Sequence, residues 1–412
     1  MVGMKNIFIS LVFIGLIISP AAAATDWPMF RQSVENNGFL TESANFCPCI
    51  WIFETNGPIK SSPAIFNEIL YFGSGDKNVY AVNMDNGSNK WTYKTGGEVF
   101  SSPAVVNNTL YIGSMDGYLY SLNSNTGTLE WKYKTGLGIE SSPAIDDGLV
   151  FFGSNDNNVY ALYASDGTLA WKFKTNKAVI SSPTVFNGTV YVGSDDSNIY
   201  AINAQDGNEI WEYGTADKVR SSPAYYNDTL YFGSDDGQLY ALNATSGDLI
   251  WSYNIGSPIR SSPLIEPANN NLFIGSDDGN MSCFDTRTGI LKWSYKTGGP
   301  VRSSPALFEN KITFGSNDGN VYVLNKYTGH NEWSYMPGYY IFNSPISSSP
   351  AVYGQSIYVG GEDGYIYVLN AHKEEGPTSV FVYYMVVLVA VVLTVLIIIR
   401  LFKKRVAKTK KE

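Results

Sequence analysis

Residues 221–253 read SSPAYYNDTLYFGSDDGQLYALNATSGDLIWSY. Short runs of Tyr, Leu, Phe and Ala alternate with clusters of turn formers: ND, SDDG and TSGD. Runs of β-formers bounded by Gly, Asn, Asp and Ser are strands, so the stretch predicts four strands joined by three tight turns. No helical period runs through it. Alone, with Arg220 just before it, its two serines and paired aspartates could equally serve a catalytic loop or a cation site.

The rest of the chain decides between these readings. SSP recurs at Ser61, Ser101, Ser141, Ser181, Ser221, Ser261, Ser303 and Ser348, spaced by 40 five times, then by 42 and 45. A period near 40 with four strands per unit predicts an all-β propeller of four-stranded blades. Tryptophans of the fourth strand stand at 51, 91, 131, 171, 211, 251, 293 and 333, so Trp51 precedes the first SSP by ten residues. The last unit, by contrast, ends at YIYVLN with no tryptophan. An orphan outer strand at the start and a blade short of one at the end predict an eight-bladed ring closed by the N-terminal strand, which removes the open edges.

Repeats of the form SSP…LYFGSDDGQLYALNATSGDLIW resemble the PQQ-like propeller family, which includes quinoprotein alcohol dehydrogenases and the assembly lipoprotein BamB. TDWPMFRQSVENNGF, from Thr25, looks like the lead-in segment of such proteins. The resemblance covers roughly residues 25–371 and implies the fold. For function it implies two classes, because one fold hosts many activities. The enzymes bind pyrroloquinoline quinone beside calcium and carry an adjacent-cysteine disulfide. This chain has no Cys-Cys pair and minimal loops, so no enzyme activity, catalytic residue, cofactor or metal is expected.

The chain ends place the propeller. Lys5, the run IFISLVFIGLII and AAAA to Ala24 read as a cleavable signal, 1–24. A lead-in follows at 25–45, the propeller at 46–371 and a linker at 372–379. Residues 380–399, VFVYYMVVLVAVVLTVLIII, are uncharged and long enough to span a bilayer as a helix. Seven basic residues in 400–412 put that tail in the cytoplasm and the propeller outside, on a plasma membrane. Removing Lys5 and the tail's net +6 from the total of −9 leaves −16 outside. So acidic a surface repels phosphate backbones, which excludes a nucleic-acid partner. Cys47, Cys49 and Cys283 are too few for a disulfide framework, and their pairing stays open.

Internal repetition separates scaffold from candidate site. A residue present in every blade serves the blade, and one that varies at an equivalent place can serve a partner. SSP is invariant, as is the aspartate before the D-G turn's end (Asp76, Asp116, Asp156, Asp196, Asp236, Asp278, Asp318, Asp363). The residue before SSP varies and is arginine in three consecutive blades: Arg220, Arg260 and Arg302. The first turn position varies too, with Asp195, Asp235 and Asp277 in consecutive blades. Both positions emerge on one face, the candidate partner-binding face. Mutual salt bridging across the rim is the competing reading. Asn86, Asn107, Asn187, Asn227, Asn243 and Asn280 begin Asn-x-Ser/Thr sequons, five of them on the opposite face, and are candidate N-glycosylation sites. Asn also simply favours turns. The expectation is a membrane-anchored, BamB-like protein-binding or scaffolding module of the cell envelope. The alternatives are a PQQ- and calcium-dependent oxidoreductase or its degenerate relative, and a module that binds envelope polysaccharide.

Overall fold

The structure is a computed structural model, described here for residues 51–337, 344–354 and 356–370. The signal, the lead-in, Cys47, Cys49, the linker, the apolar run 380–399 and the basic tail lie outside the described residues. Among the described residues no helix is long and apolar enough to cross a membrane.

Eight four-stranded antiparallel sheets form the blades. In blade 1 the strands are Ala64–Phe66, Ile69–Gly73, Asn78–Asn83 and Asn89–Lys94, from the axis outward. Blades 2 to 7 repeat this pattern. Blade 8 supplies Ala351–Tyr353, Ser356–Gly360 and Tyr365–Asn370, and Ile52–Glu54 completes it from the other end of the chain. The pairing is Ile52 with Tyr367, Phe53 with Ile366 and Glu54 with Tyr365. The expected closure is therefore the observed one.

Packing follows from alternation. Second and third strands are buried on both faces, as in Ile69–Gly73, and these apolar faces meet the neighbouring blades. Each outer strand buries one face only. Seven of the tryptophans donate Nε1–H to a backbone carbonyl of the next blade, among them Trp91 to Ser124 at 2.7 Å, Trp171 to Ala204 at 2.8 Å and Trp211 to Ala244 at 3.0 Å. The indole lies under the third-to-fourth-strand turn of that blade. Gly247, at φ +76°, sits where a Cβ would come within 2.8 Å of the Trp211 ring, so both backbone and packing require glycine.

The second serine of each SSP builds a circle around the axis. Its backbone N–H donates to the hydroxyl of the equivalent serine one blade on. Ser222 donates to Ser262 at 3.0 Å, Ser262 to Ser304 at 2.9 Å, Ser304 to Ser349 at 2.9 Å, and Ser349 closes onto Ser62 at 3.0 Å. Ser62, Ser102, Ser142 and Ser182 continue the chain to Ser222, each bond at 2.9–3.0 Å. The first serine mostly acts within its blade, although Ser181 and Ser348 also donate to the carbonyls of Ser221 and Ser61 one blade on, each at 3.2 Å. Ser61 Oγ accepts from Gly73 N–H at 3.0 Å, whereas Ser221 Oγ has no partner.

The irregular spacings have local causes. A 3₁₀ turn, Pro267–Asn269, inserts between the first two strands of blade 6 and gives the spacing of 42. The spacing of 45 falls in the link between blades 7 and 8.

Breaking the circle differs from deleting an idle hydroxyl. Ser222→Ala leaves the buried Ser182 N–H without its acceptor and is expected to lower unfolding free energy by about 1–3 kcal/mol. Ser221→Ala should stay within about 0.5 kcal/mol of the parent. Equal losses in chemical denaturation would contradict the assignment.

Candidate functional site

Links between blades and the turns joining second to third strands emerge together on one face. Backbone bonds fix the two side by side: Asp235 N–H donates to Lys218 O at 2.8 Å and Asp277 N–H to Pro258 O at 2.9 Å. The residue before SSP thus stands at the channel mouth beside the first turn position, above the serine circle.

The structure brings the two predicted arcs together as forks between adjacent blades. Arg220 Nε and Nη2 donate to the carboxylate of Asp195 at 2.8 and 2.7 Å. Arg260 grips Asp235 at 3.0 and 3.1 Å, and Arg302 grips Asp277 at 2.9 and 3.0 Å. Each arginine reaches back to the blade before its own. Arg260 Nη1 also lies 3.4 Å from Asp277, and Lys218 Nζ 3.6 Å from Asp195. The same rule continues at the ring seam, where Lys60 Nζ is 3.8 Å from Glu362. Burial pushes the Asp195 carboxyl up, and the Arg220 fork with Lys218 outweighs it, so the net shift is downward. The Arg220 and Arg260 forks are bidentate and partly buried, the strong kind of ion pair, whereas the bidentate Arg302 fork is exposed. The competing reading of mutual salt bridging is therefore what the geometry contains.

The invariant aspartate is architectural. Asp236 Oδ1 accepts from Gln238 N–H at 2.9 Å, and Oδ2 accepts from Tyr240 Oη at 2.8 Å and Ala216 N–H at 3.0 Å. One carboxylate thereby closes its own turn and ties it to the preceding link. Burial and the aspartate together raise the Tyr240 hydroxyl. Blade 6 departs from the pattern, because Ser282 replaces the tyrosine and Ser276 Oγ donates to Asp278 instead, at 2.5 Å.

The sequons divide by geometry. Asn107, Asn187 and Asn227 have φ of 51°, 47° and 49° and are followed by residues that also have positive φ, the two-residue hairpin turn that favours asparagine. Their identity is explained by the turn. Asn86 is exposed, but Asn243 Oδ1 accepts from Thr245 and Ser246 N–H, and Asn280 Nδ2 donates to Asp278 at 2.6 Å.

Two features escaped the sequence. A buried ion pair, Lys326 to Glu266 at 3.3 Å, joins blades 7 and 6 on the opposite face. Glu266 also accepts from Asn269 and Asn271, so it anchors the 3₁₀ insertion. The signal was present, since Glu266 ends an otherwise apolar inner strand. The second is an apolar corner around Tyr118 and Leu137. Cys283 is free and buried in blade 6, and burial pushes its thiol up to about 12. Among the described residues no three of His, Cys, Asp and Glu converge to hold a metal ion. At the mouth Asp195, Asp235 and Asp277 are each bound into an arginine fork.

A family model described as outer membrane protein assembly factor BamB matches residues 49–141, and a beta-propeller model of the beta-alanine-activating enzyme matches 186–387. Both matches support the reading of a PQQ-like β-propeller. Among solved structures, BamB from Moraxella catarrhalis is similar at TM-score 0.66 and 20% identity, over 81% of this chain and 100% of that one. A europium-containing methanol dehydrogenase matches at TM-score 0.72 and 14% identity, over 84% and 98%. Quinohemoprotein alcohol dehydrogenase from Comamonas testosteroni matches at 0.72 and 15%, over 86% and 82%. At such identities these structures share the fold alone. No curated protein matches at a significant level.

Asp195 carries a pH prediction. Its carboxyl is depressed on folding, so its contribution is complete above the ordinary aspartate range, near 3.9. It is lost as pH falls through the lowered value. Denaturation midpoints of Asp195→Asn should therefore drop less than the parent's between pH 5 and pH 2.5. An equal drop would show that the fork does not depress this group.

Proposed function

We propose that this PQQ-like propeller is a protein-docking module that works through the face carrying the arginine–aspartate forks. The observation behind the reading is where variation sits. The serine circle, the turn aspartates and the outer tryptophans repeat around the ring, while the mouth changes from blade to blade. Blades 4 to 7 present the forks; blades 2 to 4 present Phe100, Met115, Leu137 and Ile180. Arginine, aromatic and methionine side chains beside each other are the composition of protein interfaces. Similarity to a protein named as an assembly factor supports the same class.

Topology orients this face. The third strand of blade 8 runs from the fork face and ends at Asn370 on the opposite one. Residues 371–379 span at most about 30 Å before the apolar run 380–399, which anchors the chain with 400–412 in the cytoplasm. The fork face then points away from the bilayer toward an extracytoplasmic partner. No step of quinone chemistry is assigned to it.

Two measurements test this. Crosslinking pull-down from host membranes should lose about tenfold of its specific capture with the Arg220→Ala, Arg260→Ala, Arg302→Ala triple variant, its folding confirmed by thermal unfolding. Undiminished capture by the folded variant would clear this face. Adding pyrroloquinoline quinone and calcium should produce no dye reduction above the quinone alone; substrate-dependent turnover would overturn the docking reading in favour of an oxidoreductase.

A further inference from the structure

Eight copies of one blade supply their own controls, and one corner breaks the pattern three times. Met115 occupies a turn position where the other blades carry Gly, Asn, Asp or Glu. Tyr118 begins a third strand where six of the other seven blades carry Asn or Gln. Leu137 lies in a link where its counterparts are Gly57, Gly97, Lys177, Asp217, Ser257 and Gly299. Every departure puts an apolar or aromatic side chain in place of a polar one or of none. The fold does not require them, because the other blades close the same turns without them.

The three residues form one surface. Gly138, next to Leu137, lies so close to Met115 that a Cβ there would meet its Cε at 3.0 Å and Sδ at 3.1 Å. Leu137 itself is 57% exposed, although an apolar side chain of this size gains by leaving water. On the outer side Lys132 and Lys134 place their ammonium groups 4.5 and 4.6 Å from the Tyr118 ring centre. Lys134 also donates to the Asp116 carbonyl, which holds it over the ring. On the axis side stand Glu98, exposed, and Glu140, which accepts from Asn155 Nδ2 at 3.0 Å. An apolar patch therefore lies between two fixed ammonium groups and two carboxylates.

We propose that this corner between blades 2 and 3 is the anchor point of the docking face. It takes an apolar side chain from a protein segment that carries an Asp or Glu on one side of that anchor. The carboxylate lies toward Lys132 and Lys134, and Glu98 and Glu140 reject a second one on the axis side. This assignment rests on the docking reading and adds to it the chemistry of the partner segment and its direction.

The test uses the full chain in detergent, panned against a phage-displayed library of random decapeptides. Enriched peptides should share a Leu, Ile or Phe with acidic residues on one side only. Leu137→Asp and the Lys132→Glu, Lys134→Glu pair should each weaken the best peptide about tenfold. Ser257→Asp, at the equivalent link of blade 5, should leave its affinity unchanged. Peptides that are basic, acidic on both sides, or insensitive to Leu137→Asp would overturn the assignment. If such peptides instead lose affinity with Arg260→Ala, docking through the fork face stands and only the corner falls. If no peptide is enriched, and pull-down also fails, both readings fall together.

Discussion

A circle of eight backbone-to-hydroxyl hydrogen bonds, from the second serine of each SSP to the next, is the constraint on which the rest of this propeller depends. Each bond is ordinary, worth about 1 kcal/mol net. Their arrangement sets the geometry, because a uniform donor-to-acceptor step closes only when the last serine meets the first. Ser349 reaches Ser62 across 287 residues of sequence at the same 3.0 Å as its neighbours. The blade number, the meeting of the chain ends and the placement of the mouth residues all follow from that closure. The outer tryptophans and turn aspartates repeat the principle farther out, each tying one blade to the next.

A propeller so held leaves little for its mouth to do structurally, and the mouth is where the blades stop resembling one another. The forks of Arg220, Arg260 and Arg302 still contribute to cohesion, since each joins two blades. They also present guanidinium groups, partly buried at Arg220 and Arg260 and exposed at Arg302, whose charge is locally balanced. Such a surface offers shape and defined donors rather than net charge. The chain's net charge of −9 supplies the long-range field that these locally balanced forks lack.

The ring was legible in the sequence because repetition multiplies a weak signal eightfold. Four strands, a period near 40, and one tryptophan too early sufficed to place Ile52–Glu54 on blade 8. The reason for SSP was not legible. Proline at the start of the inner strand accounts for Pro223, but the bond made by Ser222 joins residues 40 apart and exists only in the closed ring. The shared face of the arginines and aspartates was readable from strand order. That each arginine pairs backward, with the preceding blade, depends on side-chain reach between inclined blades. Asn107, Asn187 and Asn227 satisfy a glycosylation pattern, yet their positive φ values give a sufficient local reason for asparagine. Tyr118 was not legible because a tyrosine at the start of a strand is ordinary strand composition, and Leu137, in a link between strands, gains meaning only from its exposure.

The seam is where the account is most exposed, since Ile52–Glu54 pairs over three residues while other outer strands pair over four or five. Residue-resolved amide hydrogen exchange at the eight serines of the circle tests the central claim directly. A closed circle predicts that Ser304 and Ser349, flanking the seam, exchange as slowly as Ser182 and Ser222 on the far side. Protection that collapses at Ser304 and Ser349 while persisting at Ser182 and Ser222 would show an open array held by local packing, and would contradict it.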